Sequence, residues 1–144
     1  GSPAAGGAGP YAAASSSSTA SAAPVALITT KHDKKLGTIL AYGHKELTAY
    51  LFEADHSTKS SCTGACAAAW PPVTGKPQAA GGALKGDLGT VRRPDGTLQV
   101  TYKGHPLYGF VKDGDNHDAY GQGVKAFGAP WYVLAPSGAK VDKS

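Results

Sequence analysis

His56, Cys62 and Cys66 stand close together in this chain, and no other short stretch offers side chains of wider chemical reach. On a short helix, thiols at i and i+4 lie on one face with Cα atoms about 6 Å apart, within the span of a disulfide. Left reduced, they would join the imidazole six residues before Cys62 as a three-ligand nitrogen and sulfur set suited to copper or zinc, or act as a redox pair. The spacer Thr63-Gly64-Ala65 is one residue longer than the Cys-x-x-Cys of thiol exchange, which argues against that chemistry. A second cluster, Asp113-Gly-Asp-Asn-His-Asp118, puts three carboxylates, an amide and an imidazole into six residues. Hard oxygen ligands of this kind suit calcium. An EF-hand loop would need Gly at its sixth position and Glu at its twelfth, where Asp118 and Val124 stand. A calcium site on Asp113, Asp115 and Asp118 is therefore disfavoured against a solvated acidic loop. The remaining histidines, His32, His44, His105 and His117, show no helical metal-binding pairing.

Aromatic residues form the third candidate group. Tyr50 and Phe52 are followed by Asp55, and the same pattern returns as Tyr108, Phe110 and Asp113. Residues at i and i+2 of a strand share a face, so each pair can stack a ligand or build a core, and the large area of buried aromatics favours the core. Each Asp falls just past its strand, where a carboxylate commonly accepts backbone N–H groups of the next turn. Leu36-Gly-Thr38 and Leu88-Gly-Thr90 precede the two copies, and Trp70 and Trp131 follow them. Shared order over these landmarks marks an internal repeat, about 36–73 and 88–136. The tryptophans, at matching places, are expected as paired core anchors. Serine-hydrolase, zinc-protease, phosphate-loop and dinucleotide motifs are all missing, so no enzymatic activity is expected.

The elements that must position these groups are short. Val25–Thr30 and Leu36–Tyr42 read as a strand hairpin around the polar stretch Lys31–Lys35. In Leu47–Phe52 the residues Leu47, Ala49 and Leu51 point one way and Thr48, Tyr50 and Phe52 the other; apolar surface on both faces predicts a central strand. Cys62–Trp70 reads as the one short helix, with Ser60 or Ser61 as N-cap and Pro71-Pro72 stopping it. Residues 74–86 read as a connector. Strands are then expected near Gly89–Arg92, Leu98–Tyr102, Leu107–Val111 and Trp131–Leu134, with turns at Arg93-Pro-Asp-Gly96 and Lys103-Gly104. The fold class this predicts is all-β, a mostly antiparallel sandwich or barrel, forming a single domain over residues 24–144. Residues 1–23, almost wholly Ala, Gly and Ser, lack the bulky area to order a backbone and read as a disordered tether.

With its Tyr-x-aromatic-x-x-Asp copies, its Cys62-Thr-Gly-Ala-Cys66 and its Trp70-Pro-Pro72, the chain resembles a bacterial secreted-lipoprotein repeat family without a settled biochemical function. The resemblance implies a location outside the cytoplasm. Contact with a membrane would come only through a lipidated cysteine upstream of Gly1-Ser2, a dipeptide typical of a cloning scar. Two cysteines of an exported protein more often bond each other than hold a metal, which favours the disulfide.

Net charge is +4, with 14 basic residues set against 10 acidic ones. Neither the cluster Lys31, Lys34 and Lys35 nor the pair Arg92-Arg93 makes the basic stripe of a nucleic-acid binder. Mild attraction to anionic envelope polymers is the expectation instead. The reading is of a non-catalytic module, free of cofactors, that binds or scaffolds an envelope protein or polymer. The alternative is a redox or copper- or zinc-handling protein working through Cys62 and Cys66, with electron transfer as one use.

Overall fold

The computed structural model describes residues Pro24 to Asp142, so the expected tether over residues 1–23 lies outside them. Strand β1 (Val25–Asp33) and strand β2 (Gly37–Tyr42) pair antiparallel from Ile28↔Tyr42 to Asp33↔Gly37. The predicted loop from Lys31 is thus mostly ladder. The Asp33 carboxylate closes the turn by accepting the N–H groups of Lys35 at 2.8 Å and Leu36 at 3.0 Å.

The expected strand Leu47–Phe52 breaks at Ala49 into β3 (Leu47–Thr48), paired with β2, and β4 (Tyr50–Phe52), paired with a strand from the far end of the chain. Its alternation still sorts side chains between two cores. Ala49 and Leu51 join an aliphatic cluster with Ile28, Leu40, Val100 and Leu134, whereas Tyr50 and Phe52 join an aromatic one. A strand buried on both faces must sit between two layers, as its residues require.

Helix α1 (Ala65–Ala69) is shorter than predicted. Gly64, at φ 62°, caps it and has no side chain to contribute a bond, while the expected Ser60 and Ser61 hydroxyls are engaged with Tyr108 and Asp55. The stretch read as a connector holds β5 (Lys76–Ala79), parallel to β1 from Val25↔Lys76 to Ile28↔Ala79. Lys-Pro-Gln-Ala has little strand propensity, and as the edge of its sheet it tolerates the missing N–H of Pro77. A 3-10 turn (Lys85–Asp87) leads into β6 (Leu88–Arg92), β7 (Leu98–Tyr102) and β8 (His105–Pro106). Lys103 and Gly104 both have positive φ, 52° and 84°, as the two-residue turn between β7 and β8 requires. The expected strand at Leu107–Val111 is reduced to bridges from Tyr108 to Tyr50 and to Pro72. The chain ends with β9 (Lys125–Ala126), β10 (Ala129–Leu134) and β11 (Lys140–Val141).

Among the described residues three sheets result, in the orders β3-β2-β1-β5, β8-β7-β6 and β9-β10-β11 with β4 also on β10. The fold is all-β, and among the described residues it holds one short α-helix and sheets that do not close into a barrel. β5 makes the first sheet mixed.

Leu51, only 2% exposed, fills the aliphatic core from the strand between the layers. Leu51→Ala is expected to cost about 2–5 kcal/mol in a urea titration, with the slope unchanged.

Candidate functional site

The motif residues of the two repeats meet in the aromatic core, and they meet crosswise. Phe110, Trp70, Trp131 and Phe52 form one column of rings with 4.0 Å between successive centroids and interplanar angles of 18°, 3° and 9°. Each tryptophan is stacked on the phenylalanine of the other repeat. Tyr50 stands edge-on to Trp70 at 5.4 Å and Tyr108 edge-on to Trp131 at 5.0 Å. Both tryptophans and both tyrosines are at most 1% exposed, so the rings serve as core anchors and present no face to a ligand.

The backbone repeats the exchange. Tyr50 and Tyr108 bond each other through both amides, at 2.8 and 3.0 Å. β4 pairs with β10 as Trp131↔Phe52 and Val133↔Tyr50. On the other side Tyr108 bridges Pro72, while Gly109 N–H donates to the Pro71 carbonyl and Val111 N–H to that of Ala69. Each Tyr-x-Phe segment is therefore completed by the segment beginning at the other repeat's tryptophan. The order of repeats in the chain gives no sign of it.

The acids follow the same rule. The Tyr50 hydroxyl donates to Asp113 Oδ2 at 2.5 Å, and the Tyr108 hydroxyl to Asp55 Oδ2 at 2.6 Å. The second oxygen of each carboxylate accepts locally, Asp113 Oδ1 from Tyr120 N–H at 3.0 Å and Asp55 Oδ1 from Ser61 N–H at 2.7 Å. Burial pushes both phenols well above the usual tyrosine range, and the facing carboxylates push them further. Burial likewise raises Asp113, against the opposing effect of the Tyr50 hydrogen bond.

The two halves differ around this shared frame. Cys62 and Cys66 are joined in a disulfide with Cα atoms 5.2 Å apart. The bond ties the segment before α1 to its first turn, within the aromatic core. Arg93, which opens the predicted turn, is buried: its guanidinium donates to Gln99 Oε1 at 2.8 Å, Ser60 Oγ at 3.0 Å and the Cys62 carbonyl at 2.7 Å. Ser60 Oγ lies 2.5 Å from the Tyr108 hydroxyl, so a hydrogen-bonded chain runs from Arg93 to Asp55. Nothing local in the sequence marks Arg93, Gln99 or Ser60 for this.

In the second half the acidic loop is held by its own backbone. Asp118 Oδ2 accepts from Gly114 and Asp115 N–H at 2.8 and 3.1 Å, which draws its carboxyl below the usual range, and Asp115 Oδ1 accepts from His117 N–H. Lys31 and Thr48 of the first half hold the loop through the carbonyls of Asn116 and Asp118. Among the described residues no group of three or more His, Cys, Asp and Glu is placed to hold a metal ion. The set His56, Cys62 and Cys66 fails because its sulfurs are bonded to each other, with His56 on an exposed loop. In the set Asp113, Asp115 and Asp118 both oxygens of Asp113, and one oxygen each of Asp115 and Asp118, are taken by a tyrosine hydroxyl or by backbone N–H groups.

Interlocked strands, a shared ring column and exchanged acids define a class of paired-repeat β modules. The chain belongs to a family of lipoproteins described as a secreted repeat of unknown function, whose model matches it twice, over residues 31–74 and 89–135. The protein is accordingly a secreted one. No curated protein and no solved structure matches it. No helix among the described residues is long and apolar enough to cross a membrane.

Gly121 packs closely against Trp70 and Tyr50. A Cβ there would meet Trp70 Cη2 at 2.7 Å and Tyr50 Cζ at 2.9 Å, while one at Gly114 meets nothing nearer than 3.8 Å. Gly121→Ala should therefore destabilise the protein by about 1–3 kcal/mol and Gly114→Ala by less than about 0.5 kcal/mol, as read from denaturant midpoints.

The raised phenols give a pH dependence of definite sign. Their folded pKa values lie above the unfolded value of 10.0, so the folded state binds more protons above that pH. The stability they contribute is present below pH 10 and lost as pH rises, by about 1.4 kcal/mol per tyrosine per pH unit. Denaturant titrations from pH 9 upward should show this loss, and Tyr50→Phe should reduce its slope by one proton.

Proposed function

We propose that this secreted protein is a non-catalytic module that binds or scaffolds an envelope polymer or protein outside the membrane. A lipidated cysteine upstream would anchor it, residues 1–23 would serve as tether, and residues 24–144 would act as one domain of two inseparable repeats. The observation that carries this reading is that the motif groups are consumed internally. Both tyrosines, both aspartates, both tryptophans and both cysteines have partners within the fold, so the recurring pattern builds a platform. Recognition then falls to the surface, where the net charge of +4 supports attraction to anionic polymers.

Co-sedimentation with delipidated bacterial envelopes tests it. Retention that weakens with added salt is expected; retention surviving protease treatment of the envelopes indicates a polymer, and retention abolished by it a protein. No retention in either preparation would overturn the reading. So would tight one-to-one copper or zinc binding by calorimetry that disappears in Cys62→Ser, which would restore the metal-handling alternative.

A further inference from the structure

A column of indoles flanked by phenols that donate to carboxylates is also an arrangement for moving single electrons, and two features give it a direction. At one end Phe52 is 3% exposed, whereas Phe110 at the other is only partly buried and is followed by Val111, which is 58% exposed. Trp70 lies directly beneath Phe110, and Tyr50 meets Trp70 edge-on. Oxidising equivalents arriving at the Phe110 end thus reach an indole and then a phenol over successive ring contacts.

The second feature concerns the proton. A buried phenol gives up an electron readily only if its proton leaves with it, since a phenol cation in a low-dielectric interior is costly. Tyr50 has the required acceptor, Asp113 Oδ2, at 2.5 Å. Burial raises the basicity of Asp113, which helps it receive the proton. Trp131, by contrast, donates its Nε1–H to the Ala126 carbonyl, which is no base, so an oxidised indole there has no proton acceptor at that bond. Tyr108 is the poorer donor of the two tyrosines. Its oxygen faces the Ser60 hydroxyl, which is bound in turn by the Arg93 guanidinium, and that positive charge disfavours electron loss. The Tyr50 oxygen meets the backbone N–H of Gly121 at 3.1 Å.

We propose that Phe110, Trp70, Tyr50 and Asp113 form a one-electron relay that ends in a buried tyrosyl radical, so that the protein donates single electrons to outer-sphere oxidants of the metal-complex class. The oxidant takes one electron from Trp70 and is reduced. Tyr50 returns one electron to the indole as its O–H bond breaks, and the proton forms a new O–H bond on Asp113 Oδ2. The products are a neutral tyrosyl radical, a neutral carboxyl group and the reduced oxidant. One electron from a reductant, with the proton returned by Asp113, restores the resting state.

Photogenerated tris(bipyridine)ruthenium(III), applied to the full chain, tests this by transient absorption and electron paramagnetic resonance. The parent protein should give a neutral tyrosyl radical whose spectrum is not broadened by a soluble paramagnetic relaxant. Tyr50→Phe should lower its yield at least tenfold. Asp113→Asn should slow its formation at least tenfold, and Trp70→Phe should slow it similarly. A radical broadened by the relaxant overturns the proposal, because it sits on an exposed ring such as Tyr120, which is 64% exposed. A yield unchanged in Tyr50→Phe and lost in Tyr120→Phe overturns it equally. The relaxant measurement uses the unsubstituted protein, so the proposal stays open to refutation even if a variant fails to fold.

Discussion

Each tyrosine of the motif finds its hydrogen-bond acceptor in the other repeat, and the rest of the architecture follows from that exchange. A carboxylate such as Asp113, 6% exposed, is tolerable in the interior only with its oxygens occupied, and one of its partners is a hydroxyl carried by β4. Meeting that need brings Tyr50 under the second repeat, sets it edge-on to Trp70 and puts β4 in register with β10. The reverse exchange between Tyr108 and Asp55 does the same from the other side. A half-chain would leave a phenol and a carboxylate without their partners and two aromatic faces bare, each costly in an interior. Each repeat thus supplies hydrogen-bond and stacking partners that the other lacks.

Within this near symmetry the two acids are supported by different means. Asp55 sits at the end of a chain of donors that starts at the buried Arg93 guanidinium, whose own partners Gln99, Ser60 and the Cys62 carbonyl are neutral. Asp113 is deeper, and the cation that acts on it is Lys31, which burial pulls below the usual lysine range and whose ammonium holds the Glu46 and Asn116 carbonyls. Arg93 thus reaches Asp55 through a chain of hydroxyls, whereas Lys31 acts on Asp113 only through space. Direct ion pairing would desolvate both partners, whereas the hydroxyl relay from Arg93 to Asp55 and the through-space attraction of Lys31 for Asp113 leave each charge its own hydrogen bonds.

Much of this frame was legible in the sequence. The repeat, the burial of Trp70 and Trp131, the two-faced character of 47–52 and the turn at Lys103-Gly104 all rest on local periodicity or on residue types with one preferred conformation. What could not be read depends on contacts remote in sequence. β5 was hidden because Lys76-Pro77-Gln78-Ala79 is a strand only through its parallel neighbour β1. Leu107–Val111 looks like a strand by composition, yet Tyr108 is shared between Tyr50 and Pro72 and the segment leaves the ladder. Arg93 follows Arg92 and opens a Pro-Asp-Gly turn, an environment that reads as solvent; its burial depends on Ser60 and Cys62, about thirty positions away. The crossing of Tyr50 to Asp113 is beyond single-sequence reasoning, since identical motifs within one repeat and between two repeats carry the same residues.

The disulfide acts within the first repeat alone, and its loop is too small for chain entropy to explain it. Cross-linking residues four apart restricts the unfolded chain far less than the 15-residue loop for which about 3 kcal/mol is expected. Its effect must be sought in the folded state. Cys62 presents its carbonyl to Arg93 and its N–H to Ser60 Oγ, and Ser60 in turn meets Tyr108, so fixing Cys62 fixes the chain of donors that reaches Asp55. Helix α1, five residues long and without a side-chain cap, is too short to hold that position by itself. In the second repeat the corresponding stretch is anchored by Gly121, pressed against Trp70 and Tyr50, and by Gly123, whose N–H donates to the Trp131 carbonyl at 2.8 Å. Contact and ladder do there what the covalent bond does in the first repeat.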